Sequence, residues 1–224
     1  MHNLKRRRRP GATRSTPLRP TKSPPKPHLK STDRPLAVAI TGPIGAGKSK
    51  ALEAFARHGA ATKSSDEIVH RLLRSDPDVR RELVERFGTK VIGTDGADRA
   101  AIARIVFNDA EALDWLEELL HPKVVQEHAA WREELARSPD PPRVTATEVP
   151  LLFETGGEKR FDVVVVITAP RDLRAERRPM PDGREQRLVP EEEKVRLADY
   201  TYVNDGTLEE LDAFVADVMA RLTA

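Results

Sequence analysis

Eight residues constrain this chain more than any others: Gly42-Pro43-Ile44-Gly45-Ala46-Gly47-Lys48-Ser49. They follow a short apolar run, Leu36-Ala37-Val38-Ala39-Ile40-Thr41, that reads as a buried strand. They precede a helical pattern from Lys50 to His58, closed by Gly59. In G-x-x-x-x-G-K-[ST] between strand and helix, glycines let the backbone wrap closely round an anion, and the helix N-terminus adds partial positive charge. The pattern predicts a phosphate-binding loop, with Lys48 reaching the β- and γ-phosphates of a nucleotide and the Ser49 hydroxyl ligating Mg²⁺.

A loop of this kind needs a parallel sheet to sit on, and the rest of the chain supplies the pattern. Weak strand signal at Ala60–Lys63 is followed by helical sequence from Asp66 to about Gly88, broken near Asp76-Pro77, and again from Asp98 to Ala136. The second stretch is expected to break at Asp109 and at His121-Pro122, because proline removes a helical hydrogen bond. Val144–Val149, Val163–Thr168 and Tyr200–Asn204 read as three further strands. Thr207–Leu222 reads as a last helix, with Thr207 as cap and Glu210 in capping-box position. Strands alternating with helices imply an α/β fold, its five-stranded parallel sheet covered by helices on both faces.

Charge divides the chain. Residues 1–34 hold eleven Lys or Arg and one acid, Asp33, with six prolines and no aromatic residue, whereas the remainder holds 27 bases and 35 acids. The first segment cannot bury enough apolar surface to offset its ordering entropy, so a disordered basic tail is expected before a folded domain at 35–224. Such a tail is either a solvated extension or a nonspecific anchor for nucleic acid or acidic partners, led by Lys5-Arg6-Arg7-Arg8-Arg9. The chain has no cysteine, which excludes disulfides, thiolate metal sites and cysteine nucleophiles. Its longest apolar runs, Leu36–Ile40 and Val163–Ile167, fall far below the ~20 residues that cross a bilayer. With no secretory-type apolar stretch behind the basic N-terminus, a cytoplasmic protein is expected.

Two carboxylates fall where open parallel sheets bind ligands, at the carboxyl ends of strands. Asp66 follows the second strand and can take a proton from an attacking hydroxyl or order Mg²⁺ water. It can equally cap a helix beginning at Glu67. Glu148 ends the third strand and is placed either to bind Mg²⁺ through water or to serve the fold alone. The loop by itself leaves the reaction open: a nucleoside or nucleoside-monophosphate kinase would share it, and so would a noncatalytic nucleotide-binding protein.

Five ordered motifs narrow the choice. The phosphate-loop strand, Ser65-Asp66-Glu67-Ile68-Val69-His70, Leu119-Leu120-His121-Pro122-Lys123-Val124, Glu148-Val149-Pro150-Leu151-Leu152-Phe153-Glu154 and the closing set Glu192-Glu193-Lys194, Ala198-Asp199 and Asn204-Asp205-Gly206 together resemble the dephospho-CoA kinase family. The resemblance implies a P-loop NTPase fold of nucleoside-monophosphate-kinase type, with a helical acceptor-binding insertion at about 67–137 and a short lid at about 178–190. It implies ATP-dependent phosphorylation of the ribose 3′-hydroxyl of dephospho-CoA, with ATP and Mg²⁺ required and a monomer expected. Carried over, Lys48, Asp66 and Arg177 are the catalytic candidates, and Ser49 and Glu148 the metal candidates. The nucleotide is assigned to Gly42, Ile44, Gly45, Ala46, Gly47, Lys48, Ser49, Lys50 and Asn204, and the acceptor to Thr41, Asp66, His121 and Pro122.

Three features depart from the family's pattern. Lys50 stands where the family usually has Thr, and could add phosphate attraction or simply face solvent. Ser64 replaces a common Asp, leaving one carboxylate where many relatives have two. The interval Arg178–Pro190 is shorter than the family's arginine-rich flap and contains three prolines, with Arg184 and Arg187 as candidate substitutes for flap arginines.

Overall fold

The computed structural model describes residues 34–178 and 188–224. Residues 1–33 of the tail and the segment holding Arg184 and Arg187 lie outside the described residues; Arg34, read as the end of the tail, is instead fixed by two bonds to Asp162. Strands β1 (Leu36–Thr41), β2 (Ala61–Ser64), β5 (Val144–Glu148), β6 (Val163–Thr168) and β7 (Tyr200–Val203) form one parallel sheet in the order β2-β5-β1-β6-β7. Strands β1 and β6 read as almost continuous Leu, Val, Ile and Ala because both faces are covered. Val38, Ile40, Val165 and Ile167 pack on one face against α1 (Lys48–Arg57) and α8 (Leu208–Thr223), around the fully buried Phe55. On the other face Ala39, Val164 and Val166 meet Leu152 and Phe153, and Val195 of α7 (Glu191–Leu197).

Between β2 and β5 the chain leaves the sheet and builds a second apolar core. Helices α2 (Ser65–Ser75), α3 (Pro77–Phe87), α4 (Arg99–Val106) and α5 (Ala110–Ala136) enclose Ile68, Leu72, Val79, Leu83, Ile102, Leu120 and Val124. Each junction is set by a short acid. Asp76 accepts from the amides of Asp78 and Val79, Asp98 from Ala100 and Ala101, and Asp109 from Ala112, satisfying helix-end donors that have no intrahelical partner. Asp76 also takes Lys123 Nζ of α5 at 2.9 Å, tying the α2–α3 corner to the long helix.

Several expectations change. Pro122 does not break its helix: α5 runs unbroken for 27 residues with Pro122 inside it. Proline costs the bond to the Glu118 carbonyl, but Leu120 and Val124 on either side are buried in the insertion core, and that packing holds the helix together through the lost bond. A small antiparallel pair, β3 (Ile92–Gly93) and β4 (Gly96–Ala97), was not expected. Two residues per strand carry no periodicity to read. Asp66 is not a helix cap, since α2 begins at Ser65, two residues before Glu67, with Ser64 at the N-cap and Asp66 in the first turn. Thr207 and Glu210 form the expected capping box.

Candidate active site

Sheet register assembles the site. Ile40 and Ser64 each pair with Glu148 from opposite sides, so the ends of β1, β5 and β2 lie level. The phosphate loop, Glu148 and Asp66 therefore share one edge. Gly42 adopts φ 139°, and a Cβ there would run into the Ile167 carbonyl of β6. Gly47, at φ 99°, is the N-cap of α1, and a Cβ there would strike the Asn204 side chain. Both positions combine left-handed backbone with a close approach that only glycine permits.

The loop is braced from beneath. Asn204, buried at the end of β7, donates its side-chain amide to the Ala46 carbonyl at 2.8 Å, and its backbone amide to Thr168 at 2.8 Å. Thr41 is fully buried, with its hydroxyl on the Pro150 carbonyl at 3.4 Å. The structure thus places Thr41 and Asn204 as ties under the loop. Lys50 takes the solvent option: its Nζ lies 2.8 Å from both Glu53 carboxylate oxygens on the exposed side of α1.

Lys48 is buried, its Nζ donating to the Pro43 carbonyl at 3.1 Å. Burial pulls its pKa below that of an ordinary lysine; Glu148 and Asp66 oppose the shift, while Lys194 and Arg178 add to it. Glu148 is pushed the other way, upward by burial, with Lys48 and a bond from Ser49 Oγ at 3.1 Å holding it back. The edge thus concentrates three cations against acids, and a phosphate entering it would meet a poorly hydrated ammonium. Lys194, part of the closing motif but given no role from the sequence, is buried in an ion pair with Glu154 at 2.6 Å. Arg177, exposed near the end of α6 (Arg171–Arg177), sits beside Arg178, whose charge is the one that reaches Lys48. His121 and Pro122 lie on α5, His121 half-buried and Pro122 exposed.

Among the described residues there is no group of three or more His, Cys, Asp or Glu suited to hold a metal. Mg²⁺ typically keeps several waters and takes one or two protein oxygens plus phosphate oxygens. The Ser49–Glu148 pair beside the loop fits an ion that arrives with a nucleotide. Among the described residues no helix is long and apolar enough to cross a membrane.

A sequence model described as "Dephospho-CoA kinase" matches residues 36–210, which takes in the loop, Asp66, Glu148 and Asn204. The chain belongs to the dephospho-CoA kinase family. It is a transferase of that family, whose reaction is the last step of coenzyme A synthesis with ATP as co-substrate. The dephospho-CoA kinase of Chlorobaculum tepidum is 35% identical over 201 residues, covering 84% of this chain and 95% of that protein. The dephospho-CoA kinase of Mesorhizobium japonicum is 38% identical over 198 residues, covering 82% and 96%. A solved structure from Thermus thermophilus superposes with a TM-score of 0.66 at 33% identity, covering 85% of this chain and all of that one.

This member of the dephospho-CoA kinase family carries a buried pair that no motif announced. His128 Nε2 of α5 lies 3.0 Å from Ser65 Oγ, next in the chain to Asp66, and His128 Nδ1 is buried with no hydrogen-bond partner. Burial, with Lys63, Arg132 and Arg160 nearby, pushes its pKa down to about 4. The unfolded chain therefore binds this proton near pH 6.5 while the folded chain does not until about pH 4. The stabilisation is complete above pH 6.5 and is lost as pH falls toward 4. Between those limits His128→Gln, which cannot titrate, is expected to lose less stability than the wild type; urea melts of both at pH 7 and pH 5 measure the difference. Equal losses would show that His128 is not buried neutral.

Proposed function

We propose that this chain transfers the γ-phosphoryl group of ATP to the 3′-hydroxyl of dephospho-CoA by direct in-line displacement, with Mg²⁺ held at Ser49 and Glu148. The observation that carries the reading is the shared edge: Asp66 stands beside the phosphate loop through the register of Ser64 with Glu148. A hydroxyl can be presented there to a phosphorus atom held by the loop. The acceptor oxygen forms the new bond to phosphorus, the bond to the β-phosphate oxygen breaks, and ADP leaves. The hydroxyl proton passes to Asp66.

Phosphoryl transfer has a loose transition state, so positioning and charge stabilisation outweigh base strength. Lys48, the loop amides of Gly45, Ala46 and Gly47, and the N-terminus of α1 carry the charge, with Gly42 and Ile44 shaping the loop. Ser49 and Glu148 would hold Mg²⁺, which would supply further positive charge to the phosphates. Asp66 orients the hydroxyl and receives its proton late. Arg177, at the start of the interval read as a lid, adds positive charge and helps exclude water. The helical insertion, with His121 and Pro122 on α5, forms the acceptor side of the cleft.

The test measures ADP formed from ATP with and without dephospho-CoA, and the mass of the product. A product heavier by one phosphoryl group, formed only with the acceptor present, supports the reading. ATP bound but not consumed would favour a noncatalytic nucleotide-binding protein, and turnover with a nucleoside monophosphate in its place would favour a different kinase.

A further inference from the structure

Helix α5 presents His121, His128 and Arg132 at i, i+7 and i+11, a spacing that keeps all three on one face. Against that face runs the 3₁₀ turn Gly157–Arg160: Arg132 Nη1 donates to the Arg160 carbonyl at 3.0 Å, and the Arg132 guanidinium lies over the Phe161 ring at 5.1 Å. Arg160's charge reaches His121, His128 and Arg132. From the edge strand, Lys63 sets its ammonium 5.4 Å from the centre of the Trp131 ring, and its charge also reaches His128. The Ser65–His128 bond connects this face to the turn that carries Asp66.

Among the described residues, no carboxylate pairs directly with the set: Lys63, Arg132 and Arg160 make no ion pair. The carboxylates nearest in effect are committed or distant. Asp162 accepts two bonds from Arg34 and one from the Ala37 amide, and Glu134, whose charge reaches Lys63, is exposed. In a domain where acids outnumber bases by 35 to 27, three convergent unpaired cations and a buried imidazole with a free nitrogen require a different explanation from a solvated basic surface. An anion of matching shape would relieve their mutual repulsion.

The acceptor brings such an anion. In dephospho-CoA the 3′-hydroxyl and the 5′-linked diphosphate sit at two ends of one ribose, so a hydroxyl held at Asp66 puts the diphosphate one sugar away. We propose that the groove between α5 and the Gly157–Arg160 turn receives the acceptor's diphosphate, with Arg160, Lys63 and Arg132 as its cationic contacts. The assignment rests on the reading of the chain as a kinase of dephospho-CoA. It places recognition of the acceptor in residues that none of the sequence motifs contained.

Arg160 and Lys63 are the residues to change, because Arg160 is exposed and Lys63 is only half-buried. Steady-state kinetics of Arg160→Gln should show KM for dephospho-CoA raised ~10-fold, the usual scale for one charge-assisted contact. KM for ATP should stay within about 2-fold, since no phosphate of ATP meets this groove. The double variant Arg160→Gln/Lys63→Gln should raise the acceptor KM further and flatten its dependence on salt, because fewer charges remain to be screened. Arg160→Lys should recover most of the loss. An acceptor KM unchanged in the double variant, or acceptor and ATP constants rising together, would overturn the groove while leaving the kinase reading intact. Absence of any dephospho-CoA-dependent ADP formation by the wild type would overturn both.

Discussion

Lys48→Ala is expected to lower kcat/KM for ATP by ~10³–10⁴-fold, about 4–5.5 kcal/mol. The size follows from where the ammonium sits. It is buried beside the loop, its positive charge disfavoured by desolvation and favoured by Glu148 and Asp66. A charge already stripped of most water interacts strongly with phosphate, in the ground state and more so as charge develops on the transferring group. Both ATP affinity and turnover should therefore fall, which distinguishes this variant from one that only weakens binding. Equilibrium titration with ATP and single-turnover ADP formation separate the two effects, and a circular-dichroism melt checks that the variant is folded. A folded variant within about tenfold of wild type in kcat/KM would show that Lys48 does not serve the transferred phosphoryl.

Asp66→Asn divides the labour differently. The change is nearly isosteric and removes one negative charge from the first turn of α2. Because Asp66 caps nothing, the cost in stability should be confined to the lost interaction with the helix dipole, ~0.3–1 kcal/mol. Turnover should fall ~10²–10⁴-fold, toward the lower end because a loose transition state needs little help from a base, while KM for ATP stays within a few-fold. Steady-state kinetics beside a thermal melt decide the matter. Near-wild-type turnover in the folded variant would remove Asp66 from the catalytic set without touching the assignment of Lys48.

The sheet and the loop were legible because their signals are local. A glycine-punctuated loop between an apolar strand and a helix can be read in sixteen consecutive residues, Leu36 to Ala51, and the capping box at Thr207 declares itself within four. What sequence could not give was contact made across long separations. Asn204 was placed near the nucleotide by resemblance, yet its bond to Ala46 spans 158 positions and has no periodicity to betray it. Ser65–His128, Lys194–Glu154 and Arg132–Arg160 are of the same kind. Pro122 misled for a different reason: a local rule for breaking helices was overridden by the packing of Leu120 and Val124. The two-residue strands β3 and β4 lie below the length at which alternation carries any signal.

The brace under the loop has a consequence for how the protein is made. The phosphate loop leaves the ribosome well before the strand that supports it, which follows some 150 residues later. Until β7 docks on β6, the Ala46 carbonyl lacks its partner and Gly47 lacks the wall that fixes it. The helical insertion, by contrast, closes its own core from consecutive helices and can collapse while synthesis continues. A nascent chain would thus acquire the acceptor side of its cleft before the nucleotide side. Competence to hold ATP then waits on residues translated some 150 positions after the loop that they serve.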